Sequence, residues 1–153
     1  MKNKPSSEKR VINSIKLRLP SLSANESVCR SVMSVFLAQA DPTLEELADV
    51  KCAVSEAVTN CIVHAYKDTV GTIYISAYLY SDDTVKIEIR DTGCGIPDVS
   101  QAMQPLYTTS PSDERSGMGF SVMQTFSDSV KVKSEVGRGT RVILKKRLSR
   151  AMI

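Results

Sequence analysis

The sequence contains no tryptophan, and aromatic residues account for only 5% of its 153 residues. A protein that binds single-stranded nucleic acid by stacking bases on aromatic side chains is therefore not expected. No apolar run approaches the roughly 20 residues needed to cross a bilayer. Residues 1–10 are polar and basic, without the apolar core of a signal peptide. These absences favour a cytoplasmic protein that does not enter a membrane.

Cysteine is also scarce, and its spacing excludes two kinds of site. The four cysteines are Cys29, Cys52, Cys61 and Cys94, and no two of them are spaced as C-x-x-C. That spacing is typical of zinc sites and of redox-active pairs, so neither is predicted. In a cytoplasmic chain we expect the four thiols to act as small apolar side chains that fill space.

The net charge of +3 conceals an uneven distribution. Residues 1–18 hold six Lys or Arg and one Glu, residues 141–150 hold five Lys or Arg and no acid, and residues 19–140 therefore carry −7. An acidic body lacks the electrostatic footprint of a DNA-binding domain, so no direct contact with nucleic acid is expected. The basic ends are read either as solvated segments or as a surface for a partner or a membrane.

The length suits a single domain, and hydrophobic periodicity predicts how it is arranged. Ser23 with Glu26, and Thr43 with Glu46, have the spacing of capping boxes that begin two helices. The first is predicted to run to about residue 39, with Val28, Val32, Val35 and Phe36 on its apolar stripe; the second runs to about Tyr66.

Farther along the chain, strands are predicted. Alternating apolar residues over 72–80 and 85–89 predict a β-hairpin, and a second hairpin surrounds residues 137–139. Between the hairpins lie a long loop over 91–116 and a helix over 120–127. The order ααββαββ indicates an α+β fold, a two-layer sandwich with helices on one face of a mainly antiparallel sheet.

Two polar side chains interrupt the apolar second helix. Glu56 and Asn60 are four residues apart, so they share one helix face among apolar neighbours. Polar groups in such a stretch need partners, and hydrated Mg²⁺ takes hard oxygen ligands of this kind. Taken alone, so short a pattern is more typical of the solvated edge of an amphipathic helix.

The first predicted hairpin is followed by Asp91, Gly93 and Gly95. Strand alternation places Asp91 on the inward face, where a carboxylate must find donors such as the exocyclic amine of adenine. The two glycines allow the backbone to approach a flat ring closely. An ordinary turn at the end of a strand would also favour these residue types.

A third cluster precedes the 120–127 helix. Gly117 and Gly119 would expose backbone N–H groups at a helix N-terminus, which attracts anions. Arg115 can bond phosphate, and Thr108 and Thr109 add hydroxyls. A flexible loop closing on a helix is the alternative, and the Walker pattern G-x-x-x-x-G-K-[ST] is absent.

The last cluster lies in the second hairpin, where Thr140 follows Gly137 and Gly139. Thr140 shares its strand parity with Val142 and Leu144, so its hydroxyl is predicted to face inward, where it needs a partner. A simple hairpin turn explains the two glycines equally well.

The order of these four motifs is more informative than any one of them. E-x-x-x-N, D-x-G-x-G, G-x-G and G-x-G-T, spread over residues 56–140, together resemble the GHKL ATPase family, which includes gyrase B and the histidine kinases. Residues 23–27, 54–60, 104–109 and 114–120 are more narrowly similar to the anti-sigma F factors of spore-forming bacteria. This resemblance runs from about residue 15 to 147, after a basic, flexible extension over 1–14 and before a tail over 148–153.

The resemblance implies a serine protein kinase that uses ATP and Mg²⁺. Such a protein inhibits a sporulation sigma factor, phosphorylates its anti-anti-sigma factor on serine, and forms a homodimer. Glu56 would be the general base and Asn60 the ligand of Mg²⁺. The remaining positions implied to bind nucleotide are Asp91, Gly93, Gly95, Thr108, Thr109, Arg115, Gly117, Gly119 and Thr140, and Arg30 is implied to contact partners.

Three alternatives stay open at this stage. A partner-switching kinase of a stress response would share the same chemistry with other partners. A pure binding module should have lost Glu56 or Asn60, yet both are present. A histidine-kinase catalytic domain predicts an acceptor histidine upstream, whereas the only histidine is His64, which we expect to have a packing or hydrogen-bonding role.

Overall fold

The structure, a computed structural model, describes residues 9–105 and 119–149. Four predicted site residues, Thr108, Thr109, Arg115 and Gly117, lie outside these ranges. The described strands are β1 (Val11–Pro20), β2 (Thr72–Tyr80), β3 (Thr84–Arg90), β4 (Ser129–Glu135) and β5 (Gly139–Arg147). The helices are α1 (Ala24–Ala38), α2 (Leu44–Asn60), α3 (Val99–Ala102) and α4 (Gly119–Phe126), and a π-helical turn over Cys61–Ala65 extends α2.

The five strands form one sheet in the order β1-β2-β3-β5-β4, and every neighbouring pair is antiparallel. One sheet face is apolar and buried: Ile73, Ile75, Ala77 and Leu79 of β2 are all at most 1% exposed. Buried side chains of α1 and α2 belong to the same core. The predicted α+β class, with helices packed on one face of an antiparallel sheet, is confirmed.

The first strand is absent from the predicted element order. β1 pairs with β2 from Val11 to Pro20, so it begins inside the predicted flexible extension over 1–14. At the other end, Leu148 is buried, and Ser149 donates to Glu46 from both its backbone nitrogen and its hydroxyl. The packed part of the chain therefore reaches past the predicted limits of 15 and 147. The period-two pattern is present in the sequence, where Ile15, Leu17 and Leu19 alternate with Lys16 and Arg18, but it lies mostly in the segment that was assigned to the basic end.

The two predicted capping boxes have different outcomes. Thr43 Oγ1 accepts from the Glu46 backbone N–H, and Glu46 Oε2 accepts from the Thr43 N–H, so the box at α2 is confirmed. The box at α1 is wrong, because Ser23 makes no side-chain capping bond. Glu26 instead accepts hydrogen bonds from Ser55 and Thr59 of α2. Its carboxylate fastens the two helices together.

The apolar stripe predicted for α1 is half correct: Phe36 is buried and Val32 packs against the core, but the other two valines do not. Val28 and Val35 are 42% and 77% exposed, whereas Cys29, Met33 and Leu37 are completely buried. Cys29 and Met33 each follow a predicted valine, Val28 or Val32, by one residue, which is about 100° around a helix. Valine was given priority in the sequence pattern, and the cysteine and methionine that fill the core were passed over.

Among the described residues, no helix is both long enough and apolar enough to cross a bilayer. All four cysteines are free thiols: Cys29 and Cys61 are buried, and Cys52 and Cys94 are exposed.

Candidate functional site

A cavity of about 170 Å³ opens between the C-terminal part of α2, the loop after β3, and α4. Its floor includes Ile89 and Val142 of the sheet, and the short helix α3 contributes to one wall. Six of the predicted site residues line this one cavity: Glu56, Asn60, Asp91, Gly95, Gly119 and Thr140. These residues are spread over more than eighty positions of the chain, so their convergence comes from the fold.

Asp91 lies at one end of the cavity and is only 5% exposed. Its Oδ1 accepts from the backbone nitrogens of Gly93, at 2.9 Å, and Thr140, at 3.2 Å. Its Oδ2 accepts from the Cys61 thiol at 3.6 Å, a weak donor. A carboxylate oxygen has two lone pairs, so Oδ2 keeps capacity for a ligand N–H.

Burial governs the protonation of Asp91 and of the neighbouring Cys61 thiol. Desolvation raises the pKa of Asp91 above its ordinary value, although the bonds from Gly93 and Thr140 oppose the shift. The pKa of the Cys61 thiol is raised well above its ordinary value, mainly by burial and further by the neighbouring Asp91 charge. Cys61 is therefore a neutral donor beside an acceptor that the protein leaves partly unsatisfied.

Two glycines hold the Asp91 loop by close backbone contact. A Cβ at Gly93 would collide with the carbonyl of Ala65 in the π-helical turn, and one at Gly139 would collide with the carbonyl of Asp91. Gly139 also has a φ of +118°, a conformation that other residues rarely adopt. The structure brings Gly93 against protein backbone, where it keeps the loop in position, and its approach to a ligand ring stays a prediction.

The other end of the cavity is formed where α4 begins. A Cβ at Gly119 would lie 3.2 Å from Asn60 Oδ1 and 3.5 Å from Glu56 Oε2. The two oxygens that the sequence predicted to share a helix face are thus directed at the first residue of α4. Free backbone N–H groups at such a helix start favour an anion.

Thr140, at the start of β5, lies in the cavity wall and contacts Ser134 of the neighbouring strand. Its hydroxyl lies 2.8 Å from that of Ser134, and Ser134 also accepts from the backbone nitrogen of Ile96. The inward orientation predicted for Thr140 is consistent with its position in the cavity wall. Ser134 was missed because it gave no motif, although its parity on β4 matches that of the inward valines.

Several wall residues were not predicted as parts of the site. Thr59, Cys61 and His64 come from α2 and its extension, and Cys94 follows Asp91. For Cys61, a signal existed: it is one residue after Asn60 and follows Ala57 by four, so it shares the cavity face. The other lining positions have no chemical signature in a single sequence.

Arg30 does not line the cavity. It lies on α1, half-buried, with Nη2 at 3.5 Å from Ser27 Oγ. Its Nε is buried, and no hydrogen-bond partner for it exists among the residues described. A buried guanidinium nitrogen without a partner is costly.

The polar groups of the cavity fit two ligands, a Mg²⁺ ion at one end and the base of a nucleotide at the other. Within residues 9–105 and 119–149, no group of three His, Cys, Asp or Glu side chains could hold a metal ion alone. Asn60 and Glu56 nevertheless direct oxygens to one point, as Mg²⁺ requires when its other ligands are waters and phosphates. The acceptor Asp91 at the far end suits an amine on a flat base, so the donor set fits a nucleotide with Mg²⁺.

Comparison with known proteins agrees with this description. The family profile of the histidine kinase-like ATPase domain matches residues 19–146. An anti-sigma F factor from Caldanaerobacter subterraneus is 53% identical over 138 residues, covering 90% of this chain and 96% of the relative. The anti-sigma F factor of Priestia megaterium is 49% identical, covering 90% and 94%.

Solved structures show the same fold at low identity. The RsbU and RsbW domains of a Mycobacterium tuberculosis protein superpose with a TM-score of 0.68 at 21% identity, covering 91% of this chain and 33% of that one. The histidine kinase domain of a blue-light activated kinase from Erythrobacter litoralis gives 0.55 at 19% identity, covering 86% and 62%.

Proposed function

The chain belongs to the histidine kinase-like ATPase family and, within it, to the anti-sigma F factors, and we propose that it is an ATP-dependent serine protein kinase. It binds and inhibits a sporulation sigma factor, and it phosphorylates and so inactivates the anti-anti-sigma factor that would release that sigma factor. The observation that carries this proposal is the convergence of Glu56, Asn60, Gly119 and Asp91 on one cavity.

Asp91 is the residue that recognises the base. Its Oδ2 retains acceptor capacity, and Oδ1 is held in place by two backbone N–H groups. The amine of adenine would donate a hydrogen bond to this carboxylate, which is buried and therefore costly to leave without a full set of donors. Thr140 and Gly95 complete the wall around the base.

The phosphates are assigned to the opposite end. Gly119 begins α4 without a side chain, so backbone N–H groups can approach an anion. The predicted contributions of Thr108, Thr109, Arg115 and Gly117 to phosphate binding remain proposals. Asn60 would hold Mg²⁺, which neutralises charge on the phosphates when bound.

Glu56 is the proposed general base. It lines the cavity one helical turn from Asn60, so its carboxylate can reach a hydroxyl presented beside the terminal phosphate. There it would take the proton of the attacking serine of the anti-anti-sigma protein, directly or through a water. The transfer itself depends mainly on positioning and charge stabilisation.

The partner surface is assigned to α1 and centred on Arg30, whose side chain is only half-buried there. The homodimer and the cytoplasmic location belong to the same proposal. A stress-response partner-switching kinase is the alternative, and the names of relatives about 50% identical favour the sporulation system.

The decisive experiment supplies γ-labelled ATP and Mg²⁺ to the purified chain with its anti-anti-sigma protein. We expect label on a serine of that protein, and no label when the serine is replaced by alanine. Self-labelling on His64, or hydrolysis of ATP without transfer, would contradict a serine kinase. The second candidate function is tested in parallel with the anti-anti-sigma protein of the stress response, which should remain unlabelled.

A further inference from the structure

The outward face of the sheet carries an unusual concentration of positive charge. In the register, one row across the strands consists of Arg18, Tyr74, Arg90, Arg141 and Lys133. These side chains share the parity of Tyr74, opposite to that of the buried Ile73 and Ile75. Four of the five positions in this row are therefore cationic and point away from the helices.

Two further rows continue the pattern. One contains Lys16, Glu88 and Lys131, and the other contains Lys86 and Lys145. Four cations in the first row and two in each of the others surround a single acid, Glu88. We call this surface the basic sheet face. The fold thus brings four basic residues from the two ends of the chain, on β1 and β5, together with four cations from β3 and β4.

The cations oppose each other directly across strand pairs. Arg90 lies opposite Arg141, Lys133 lies opposite Arg141, and Lys86 lies opposite Lys145. Like charges directly opposite each other destabilise a sheet. Local conflicts of this kind are expected where a surface serves a function, because a ligand of opposite charge relieves them.

Tyrosine rings hold some of these cations in fixed positions. The guanidinium carbons of Arg90 and Arg18 lie 4.0 and 5.0 Å from the centroid of the Tyr74 ring. Lys86 Nζ lies 5.0 Å from the ring of Tyr78. Contacts of this geometry are attractive and restrict the side chains, so less entropy is lost when a ligand binds.

The face is also indented. A depression of about 420 Å³ is lined by Lys16, Arg18, Tyr74, Glu88, Arg90 and Arg141, among others. Arg18 and Arg141 are exposed and Arg90 is half-buried. Three guanidinium groups around one depression can each bind a carboxylate with two parallel hydrogen bonds.

We propose that the basic sheet face is a docking site for an acidic segment of a partner polypeptide, whose carboxylates are bound by Arg18, Arg90 and Arg141. The site is separate from the cavity, which lies on the helical side, and from Arg30 on α1. It does not depend on the proposed kinase activity.

Two other occupants fit the surface less well. A second copy that presented the same face would oppose cation to cation. Single-stranded nucleic acid would use free aromatic rings for stacking, but Tyr74 already has a guanidinium on either side in the register.

The test uses the full chain and a dye-labelled peptide of twelve glutamates, titrated by fluorescence anisotropy at physiological salt. The double variant Arg90→Gln/Arg141→Gln should weaken binding about 10-fold or more, because two charge-assisted bonding groups are lost. The matched control Lys51→Gln/Lys67→Gln removes the same net charge away from the face and should change affinity less than about twofold.

Three results would overturn the proposal. One is an equal loss in the control variant, which would make the effect one of net charge. Another is tighter binding of a twelve-nucleotide single strand than of the peptide, lost in the same double variant, which would assign the face to nucleic acid. The third is no peptide binding at physiological salt. The midpoint of thermal unfolding of Arg90→Gln/Arg141→Gln should be no lower than that of the original chain, which separates lost binding from lost folding.

Discussion

The two ends of the cavity are built differently. At the Asp91 end, the carboxylate is fixed by backbone N–H groups from two separate segments and is almost completely buried. At the Gly119 end, two side-chain oxygens converge on a residue that has no side chain. The first end is preorganised by the protein, so it is suited to recognition. The second end leaves space for a charged group, so it is suited to chemistry.

The largest expected effect is that of Glu56→Gln, which should impair phosphoryl transfer at the Gly119 end and leave nucleotide binding at the Asp91 end intact. Replacing Glu56 with Gln keeps the shape of the side chain and removes the base, so we expect phosphoryl transfer to fall about 10²- to 10⁴-fold. Nucleotide affinity should change little, because the Asp91 end is untouched. Single-turnover transfer and equilibrium binding of a fluorescent ATP analogue measure the two quantities.

The control for this change is Glu45→Gln, an exposed glutamate in the first turn of the same helix. It should leave both quantities unaltered. If Glu56→Gln transfers phosphate at the original rate, Glu56 is not the base, and the functional difference between the two ends is lost.

The converse variant is Asp91→Asn. Asn Oδ1 can still accept from Gly93 and Thr140, but an NH₂ group replaces the oxygen that would face the amine of adenine. We expect a loss of nucleotide affinity of about 10- to 100-fold, equivalent to one bond to a charged group in a buried site. Isothermal titration with ADP measures it, and titration with GDP provides the comparison.

Stability is the matching control for Asp91→Asn. Burial already disfavours the charged carboxylate, so the neutral amide should leave the free energy of unfolding within about 1 kcal/mol of the original. A collapse in stability with an unchanged affinity per folded molecule would make Asp91 a structural residue only.

At the Gly119 end, even a methyl side chain should interfere with the binding of the nucleotide's phosphates. In Gly119→Ala, the methyl group would lie 3.2 Å from Asn60 Oδ1, within the space assigned to phosphate. We expect ATP affinity to fall about 10-fold, with AMP affinity nearly unchanged because AMP lacks the terminal phosphates. Gln124→Ala, exposed on the same helix, should change neither affinity.

Much of the candidate site and part of the core could be predicted from the sequence alone. Motif spacing identified Glu56, Asn60, Asp91 and Gly119, because each needs a residue type that is rare in its local setting. The core of β2 was likewise predictable from period-two alternation, and its alternate residues Ile73, Ile75, Ala77 and Leu79 are buried as expected.

What the sequence could not supply is tertiary context. Glu26 fits a capping box by spacing, but hydroxyls of α2 compete for its carboxylate and take it instead. The contact between Gly93 and Ala65 depends on the π-helical turn, which no local pattern predicts. The basic sheet face is invisible for the same reason, since its residues come from five strands.

The smallest expected effect concerns pH at the Asp91 end. Folding raises the pKa of Asp91, so the folded state binds the proton more tightly than the unfolded state. The contribution of Asp91 to stability therefore declines as pH rises from its ordinary pKa to the raised value. Nucleotide affinity should increase over that same range, because the carboxylate is the form that accepts from the amine.

Cys61→Ala tests whether the thiol participates in this titration. The S–H group donates to Asp91 Oδ2 and so favours the charged form. Its removal should shift the acid limb of nucleotide binding to higher pH, and affinity at neutral pH should change less than about threefold because the bond is weak. Cys52→Ala, an exposed thiol on the same helix, should leave the limb in place. An acid limb that does not move in Cys61→Ala would mean that burial and the backbone bonds from Gly93 and Thr140 set the acidity of Asp91 without a contribution from the thiol.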